Sequence, residues 1–458
     1  MDYTSITPEQ RSRMLQAIGI TSIDALFAAI PPQFRFSGPL NLPPGASELE
    51  LQRQLGQVAT ENHGADTLAC FMGGGAYDHF IPAFIDQMIS RGEFLTAYTP
   101  YQAEASQGSL QAFFEFQTQI ARLTGMDIAN ASLYEGASAA AEAVSLALNS
   151  TGKRRILVAD TLHPDYLWVL RTHLSDLPVE MVMLKTGSEG RVNPADVEKA
   201  ADNDTACVVV ASPNVYGLLE DLEGCFGAAR RKASEGARPL GIAVFNPIAC
   251  ALLKPPGLSG ADVAVGEGQP LGVPLQFGGP YLGLFATRRE HIRRMPGRLV
   301  GRSADASGRP AYCLILQTRE QHIRGAKATS NICTNQGLLA LRATMYMSAM
   351  GPEGLRNVAG QSWHKAHWLA GEISKLPGYG LKHDGPFFNE FVVTCPVPAA
   401  NVIDAGREHN VLAGVDLSTD RMSKIGDENE LLIAVTEKRS RADMDRLLDA
   451  MKQANAKR

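Results

Sequence analysis

The sequence predicts an α/β protein built on a mostly parallel, doubly wound sheet, with a smaller α+β region after it. Three observations carry this. Short apolar runs recur as RILVAD (155–160), VEMVML (179–184), ACVVVAS (206–212), GIAVF (241–245) and ADVAV (261–265). Helical patterns separate most of them, including AAAEAVSLALNS (139–150) and PADVEKAADN (194–203). Strands that are apolar throughout are those buried on both faces, as parallel sheets require. Beyond about residue 310 the texture changes to a helix-rich stretch, QGLLALRATMYMSAMG (336–351), and two strands in FNEFVVTCP (388–396) and LLIAVTEK (431–438).

Taken in order, residues 5–30 read as two short helices, started by Thr7-Pro8-Glu9 and by Thr21-Ser22. The Pro/Gly-rich PPQFRFSGPLNLPPG (31–45) suits an extended arm, either wrapping a partner or acting as a surface linker. ELELQRQLGQVATEN (48–62) and LQAFFEFQTQIARLTG (110–125) are helical, the latter with a cap near Ser109. The expected organisation is helices and arm over 1–60, a large α/β domain over 61–310 and a small α+β domain over 311–458.

Composition narrows the function classes. Apolar residues make up 45% and charged residues 20% of 458, as in an ordinary globular protein. A formal net charge of −5 and the lack of a dense Lys/Arg block argue against nucleic-acid binding. The densest basic stretch, Arg288 to Arg302, reads as a solvated helix face. Seven scattered cysteines without a CxxC pair signal neither a disulfide framework nor a zinc site, which fits a reduced, cytoplasmic setting. The N-terminus lacks a secretory pattern, and no apolar run reaches the roughly 18 residues of a membrane span.

The run from Gly241 to Gly283 carries the strongest chemical signal. In the commonest class of pyridoxal enzymes, one strand ends in an Asp that pairs with the cofactor ring nitrogen, and a later one in the Schiff-base Lys. Here those places hold Asn246 and Gln269. An amide is no nucleophile, so this chain does not complete that chemistry alone.

Other segments surround this degenerate pocket. Glu135-Gly136-Ala137-Ser138 opens an Ala-rich helix and is either a phosphate-binding N-terminus or an ordinary start capped by Ser138. His163 follows the strand 155–160, as a ring-stacking or proton-moving group or as a loop residue. SPNVYG (212–217) reads as a simple βα turn. Tyr98 and Tyr101, in TAYTPYQAEASQGSLQ (96–111), suit a binding surface or a packed interface. QTREQHIRGAKATSNICTNQ (317–336) places Arg319, His322, Arg324 and Lys327 beside Thr329, Ser330 and Asn331, a composition suited to phosphate or carboxylate. Lys254 and Lys327 are the two lysines that could replace the missing one, though neither follows the second strand.

TPYQAEASQG, SLYEGASAAAEA, GADVAVGEGQPLGVPLQFGGPYLGLFA and LQTREQHIRGAKATSNICTNQ together closely resemble the glycine cleavage system P-protein, more specifically the alpha chain of its two-subunit form. The resemblance spans essentially the whole chain. It implies a fold-type-I architecture of the pyridoxal-phosphate-dependent transferases and an α2β2 assembly with the beta chain, P-protein subunit 2. It also implies that this partner holds pyridoxal phosphate covalently and that this chain does not. Glycine would be decarboxylated and its aminomethyl group passed to the lipoyl arm of the H-protein. Thr329 lies at about the offset from Gln269 at which such dimers send a hydroxyl to the neighbour's cofactor phosphate, with Ser330 and Asn331 beside it. Arg319, His322 and Arg324 would serve the phosphate, the glycine carboxylate or the approach of an acidic H-protein. The competing expectations are a non-catalytic scaffold and a stand-alone lyase or transaminase using Lys327.

Overall fold

The computed structural model describes residues 5–36, 38–232 and 237–456. It divides into two compact units, Met1–His63 and Gly64–Arg458.

In the first unit, Pro8–Ile18 forms a helix with Pro at its start, and Thr7 and Gln10 exchange capping bonds. Ile23–Phe27 is a 3₁₀ turn capped by Ser22. Glu48–Thr60 is a helix with a second capping box, between Ser47 and Glu50. Among the described residues of the intervening arm, Pro32–Phe34 forms a short 3₁₀ turn, and Arg35 donates to the carbonyls of Ile30 at 2.7 Å and Phe27 at 2.5 Å.

The second unit is organised by a seven-stranded sheet. Its strands are β1 (Ile128–Ala129), β2 (Arg155–Ala159), β3 (Glu180–Leu184), β4 (Thr205–Ser212), β5 (Leu240–Phe245), β6 (Val263–Glu267) and β7 (Gly283–Thr287). The spatial order is β1-β7-β6-β5-β4-β2-β3. β2 to β6 run parallel, and β7 is antiparallel to both its neighbours. The five strands predicted for this sheet are found, with ends displaced by at most two residues.

Both faces of the sheet are covered, which explains the unbroken apolar runs. Leu157, Val208, Val210 and Ala243 pack beneath Phe113, Phe116 and Ile120 of the helix Gln107–Thr124. The alternate residues Ile156, Val158, Val209 and Ile242 pack against the alanines of the helix Gly136–Thr151. Ala139, Ala140, Ala141, Ala143 and Ala147 are fully buried there, so small side chains let this helix lie close on the sheet.

A hairpin pairs Leu299–Ala304 with Pro310–Ile315, so strand pairing runs across the boundary expected at 310. The architecture changes only at the long helix Gly337–Ile373, which breaks at Gly351 (φ 60°) ahead of Pro352. Beyond it, Gly380–Leu381, Glu390–Thr394, Glu430–Ala434 and Val415–Asp416 form a four-stranded antiparallel sheet. The basic stretch 288–302 is not a solvated helix face: it is a 3₁₀ turn (Arg289–Arg294) running into the hairpin, and Arg298 is buried. No helix among the described residues is long and apolar enough to cross a membrane.

Candidate functional site

The parallel strands converge on one edge at their C-terminal ends, where open α/β sheets bind ligands. Asn246 follows β5 directly, and Gln269 lies two residues past β6. The Gln269 side chain is bonded through both its oxygen and its nitrogen, and the Asn246 side chain through its oxygen. The Gln269 carboxamide accepts the N–H of Tyr77 at 2.8 Å and donates to the carbonyls of Tyr77 at 3.0 Å and Val273 at 2.8 Å. The Asn246 side-chain oxygen accepts the N–H groups of Ile248 at 2.9 Å and Ala249 at 3.2 Å.

The helix N-terminus facing this edge is also occupied. The Glu267 carboxylate accepts the N–H of Gly136 at 3.0 Å, together with those of Gln269 and Leu282, each at 2.9 Å. Glu135, not Ser138, is the cap: its carboxylate accepts the Ser138 N–H at 2.8 Å and the Ser138 hydroxyl at 2.5 Å. The Tyr166 hydroxyl fills the space where a Cβ on Gly136 would stand, which requires glycine there. From the C-terminal sheet, Glu390 accepts the Gly74 N–H at 2.6 Å and the Tyr77 hydroxyl at 2.9 Å. Burial pushes Glu267 and Glu390 each up to about 7, against the lowering effect of these donors. Burial lowers the His163 imidazole, which caps the helix Pro164–Leu174 by accepting the Asp165 N–H at 3.2 Å.

What remains is a cavity of about 80 Å³ lined by His163, Tyr166, Asn246, Glu267 and Glu390. That is well below the roughly 300 Å³ at which small-molecule pockets begin. A pyridoxal phosphate does not fit here. There is no amine at 269, no carboxylate at 246, and two glutamates stand where its phosphate would need N–H donors. Neither Lys254 nor Lys327 lines the cavity; Lys254 pairs with Glu223 at 2.6 Å, and Lys327 is exposed.

A second region brings together the two polar segments of the sequence. The Tyr101 and His322 rings meet at a tilt of 54° with centroids 5.4 Å apart, and the Arg298 guanidinium lies 5.6 Å from the Tyr101 ring. Arg298 donates to the Asn335 side-chain oxygen at 3.1 Å and the Thr99 hydroxyl at 3.3 Å. Tyr98, Thr99, Arg298, Thr334 and Asn335 border a cavity of about 360 Å³. Arg298 was not among the expected site residues. Its chemistry is visible in the sequence, but its place depends on loops 199 and 37 positions away.

His322, Thr329, Ser330 and Asn331 line a third, open cavity of about 670 Å³, with Glu142 and His173. Burial pushes the Glu142 carboxyl up to about 7, and His173 Nε2 lies 3.6 Å from it. Ser330 accepts the Ile332 N–H at 3.0 Å. Arg324 is exposed nearby. Arg319 departs from expectation. It is 7% exposed, and its guanidinium ties down the carbonyls of Met295 and Gly297. It therefore holds the turn before the hairpin and does not reach solvent with the others.

The comparisons with known proteins agree on one family. The family model for the glycine cleavage system P-protein matches residues 1–451. The chain is 48% identical over 457 residues to the probable glycine dehydrogenase (decarboxylating) subunit 1 of Thermomicrobium roseum, covering 100% of both chains. It is 49% identical to the same-named protein of Prosthecochloris aestuarii, covering 98% of this chain and 99% of that one. Among solved structures, a glycine decarboxylase (P-protein) of the glycine cleavage system in inhibitor-bound form superposes with a TM-score of 0.88 at 41% identity, over 99% of this chain and 100% of that one. A sphingosine-1-phosphate lyase of Burkholderia pseudomallei, at a TM-score of 0.64 and 14% identity over 93% and 94% of the two chains, shares the fold alone. The architecture is that of the fold-type-I pyridoxal-phosphate enzymes.

Proposed function

Because the chain belongs to the glycine cleavage system P-protein family, we propose that it is subunit 1 of glycine dehydrogenase (decarboxylating) and serves an active site carried by its partner, subunit 2. One observation carries the division of labour. The chain's own cofactor pocket is closed by Gln269, Glu267 and Glu135, while Tyr98, His322, Thr329, Ser330 and Asn331 line open cavities and Tyr101 packs against His322.

In this reading the partner holds pyridoxal phosphate covalently, this chain holds none, and the two assemble as α2β2. The cofactor supplies the electron sink that loss of CO2 from glycine requires. This chain's residues complete the walls of that site. The hydroxyls of Thr329 and Ser330 and the amide of Asn331 offer donors to a phosphate or carboxylate, and Tyr98 and Tyr101 cover the opening and exclude water. His322, in tilted ring contact with Tyr101, stands where a proton can be moved at the mouth. The aminomethyl group then leaves on the lipoyl arm of the H-protein. A stand-alone enzyme using Lys327 finds no support, since that lysine does not line the pocket under the sheet edge.

The experiment is reconstitution with Thr329→Ala. The account expects weaker cofactor retention and slower glycine-dependent CO2 exchange in the two-subunit enzyme. Unchanged cofactor affinity and turnover would remove Thr329 from the site.

A further inference from the structure

The cavity at Tyr98 and Arg298 has features that the reading above does not use. Arg298 is 3% exposed, so its guanidinium has left bulk water. Buried charges are ordinarily paired, because an uncompensated one costs several kcal/mol. Among the described residues, no carboxylate lies within 4.0 Å of the Arg298 nitrogens, and its Nε has no hydrogen-bond partner. Its two bonds, to Thr99 and Asn335, are to neutral oxygens at 3.3 and 3.1 Å. The Glu320 carboxyl feels the charge of Arg319, His322 and Arg298 together, and Arg319 is buried like Arg298. Two guanidinium groups thus face one carboxyl, leaving a surplus of positive charge.

A second feature points the same way. The helix Gly337–Ile373 begins at the cavity wall, and its cap residue Gln336 makes no side-chain bond to the first turn. The Gln336 N–H is taken by the Ser132 hydroxyl at 3.1 Å, but Gly337 and Leu338, the first residues of the helix, line the cavity and set the positive end of its dipole beside the space that Arg298 borders. Thr99, Thr334 and Asn335 add hydroxyl and amide groups around the same cavity of about 360 Å³.

We propose that this cavity is an oxyanion site, in which Arg298 and the open first turn at Gly337 hold a phosphate monoester or carboxylate group. The two anions share the chemistry that a guanidinium and helix N–H groups recognise. That the anion belongs to the partner's cofactor or to its substrate rests on the function proposed above. The site itself does not.

The test uses the full chain and inorganic phosphate. Its thermal midpoint is followed as phosphate is added, against sodium chloride at matched ionic strength. The expected result is a saturable rise of about 3 °C at a hundredfold excess over Kd, given by phosphate alone. Arg298→Met abolishes it. Thr99→Asp sets an internal carboxylate beside the guanidinium and weakens phosphate binding at least tenfold, in a chain whose far-ultraviolet circular dichroism is unchanged. A response to phosphate no larger than to chloride overturns the site. So does a Thr99→Asp chain that still responds as the parent does, even if Arg298→Met fails to fold. In the two-subunit enzyme, loss of the response on adding pyridoxal phosphate assigns the site to the cofactor's phosphate, and loss on adding glycine assigns it to the substrate's carboxylate. A response that neither removes overturns the assignment to the partner's reaction and leaves the site standing.

Discussion

The carboxylate of Glu267 accepts the backbone N–H of Gly136 at 3.0 Å, at the start of the helix that faces the sheet's C-terminal edge. An anion already belonging to the chain therefore holds the place where a cofactor phosphate would bind, and a second carboxylate, Glu135, takes the next turn. The pocket is closed by added carboxylates as well as by the loss of a lysine. Restoring the amine alone, as Gln269→Lys, is expected to leave the isolated chain without bound pyridoxal phosphate. Borohydride treatment followed by mass spectrometry reads this directly; a reduced adduct on Lys at 269 in the single variant would show that the phosphate site is open.

Two acids in the same pocket set a pH signature. Glu267 and Glu390 are raised from 4.5 to about 7, first by burial. A carboxyl raised in the folded state holds its proton more tightly there than in the unfolded chain. Its cost to stability is absent below 4.5, grows between 4.5 and 7 and is complete above 7. Glu390→Gln removes the titration, so relative to the parent it should gain about 1–3 kcal/mol between pH 5 and pH 8. Denaturant unfolding at both pH values measures the difference. Equal displacement of the two curves would place the Glu390 carboxyl in its ordinary range.

Thr329 is expected to matter only in the assembled enzyme. Removing a hydroxyl that donates to a charged acceptor costs about 1.5–3 kcal/mol, so Thr329→Ala should weaken cofactor retention by about tenfold or more. The isolated variant should unfold at the same denaturant midpoint as the parent. A matching loss in the isolated chain would make Thr329 a structural residue.

Asp78 should behave as a structural anchor. It pairs with Lys438 and Arg439 at 2.7 Å each, and Arg439 is 3% exposed. Removing the acid strands a buried guanidinium, so Asp78→Ala should destabilise the chain by about 3–5 kcal/mol. Chemical denaturation checks this, and a cost below about 1 kcal/mol would mean that the pair is solvent-screened.

The sheet was legible because parallel strands buried on both faces must be apolar at every position, and such runs stand out against their helices. Asn246 and Gln269 were legible because strand ends fix where the edge lies. The closure of the pocket was not. Glu267 looks like an ordinary loop residue until the fold brings it to Gly136, 131 positions away, and Glu390 comes from a different sheet altogether. Arg298 and Arg319 share one composition class with Arg324, yet two are buried and one is exposed. Nothing local distinguishes them, because their burial is decided by what folds over them. The Ser138 cap failed for a related reason: the helix starts at Gly136, so Ser138 lies inside the first turn and the Glu135 carboxylate accepts its N–H, a start point that residue type alone leaves open.

The most direct measurement is cofactor content and glycine-dependent CO2 exchange, made on the chain purified alone and then with subunit 2. The account predicts no bound pyridoxal phosphate and no exchange for the chain alone, and one cofactor per pair of subunits with exchange when the partner is added. Covalently bound cofactor on the isolated chain, or two per pair, would contradict it.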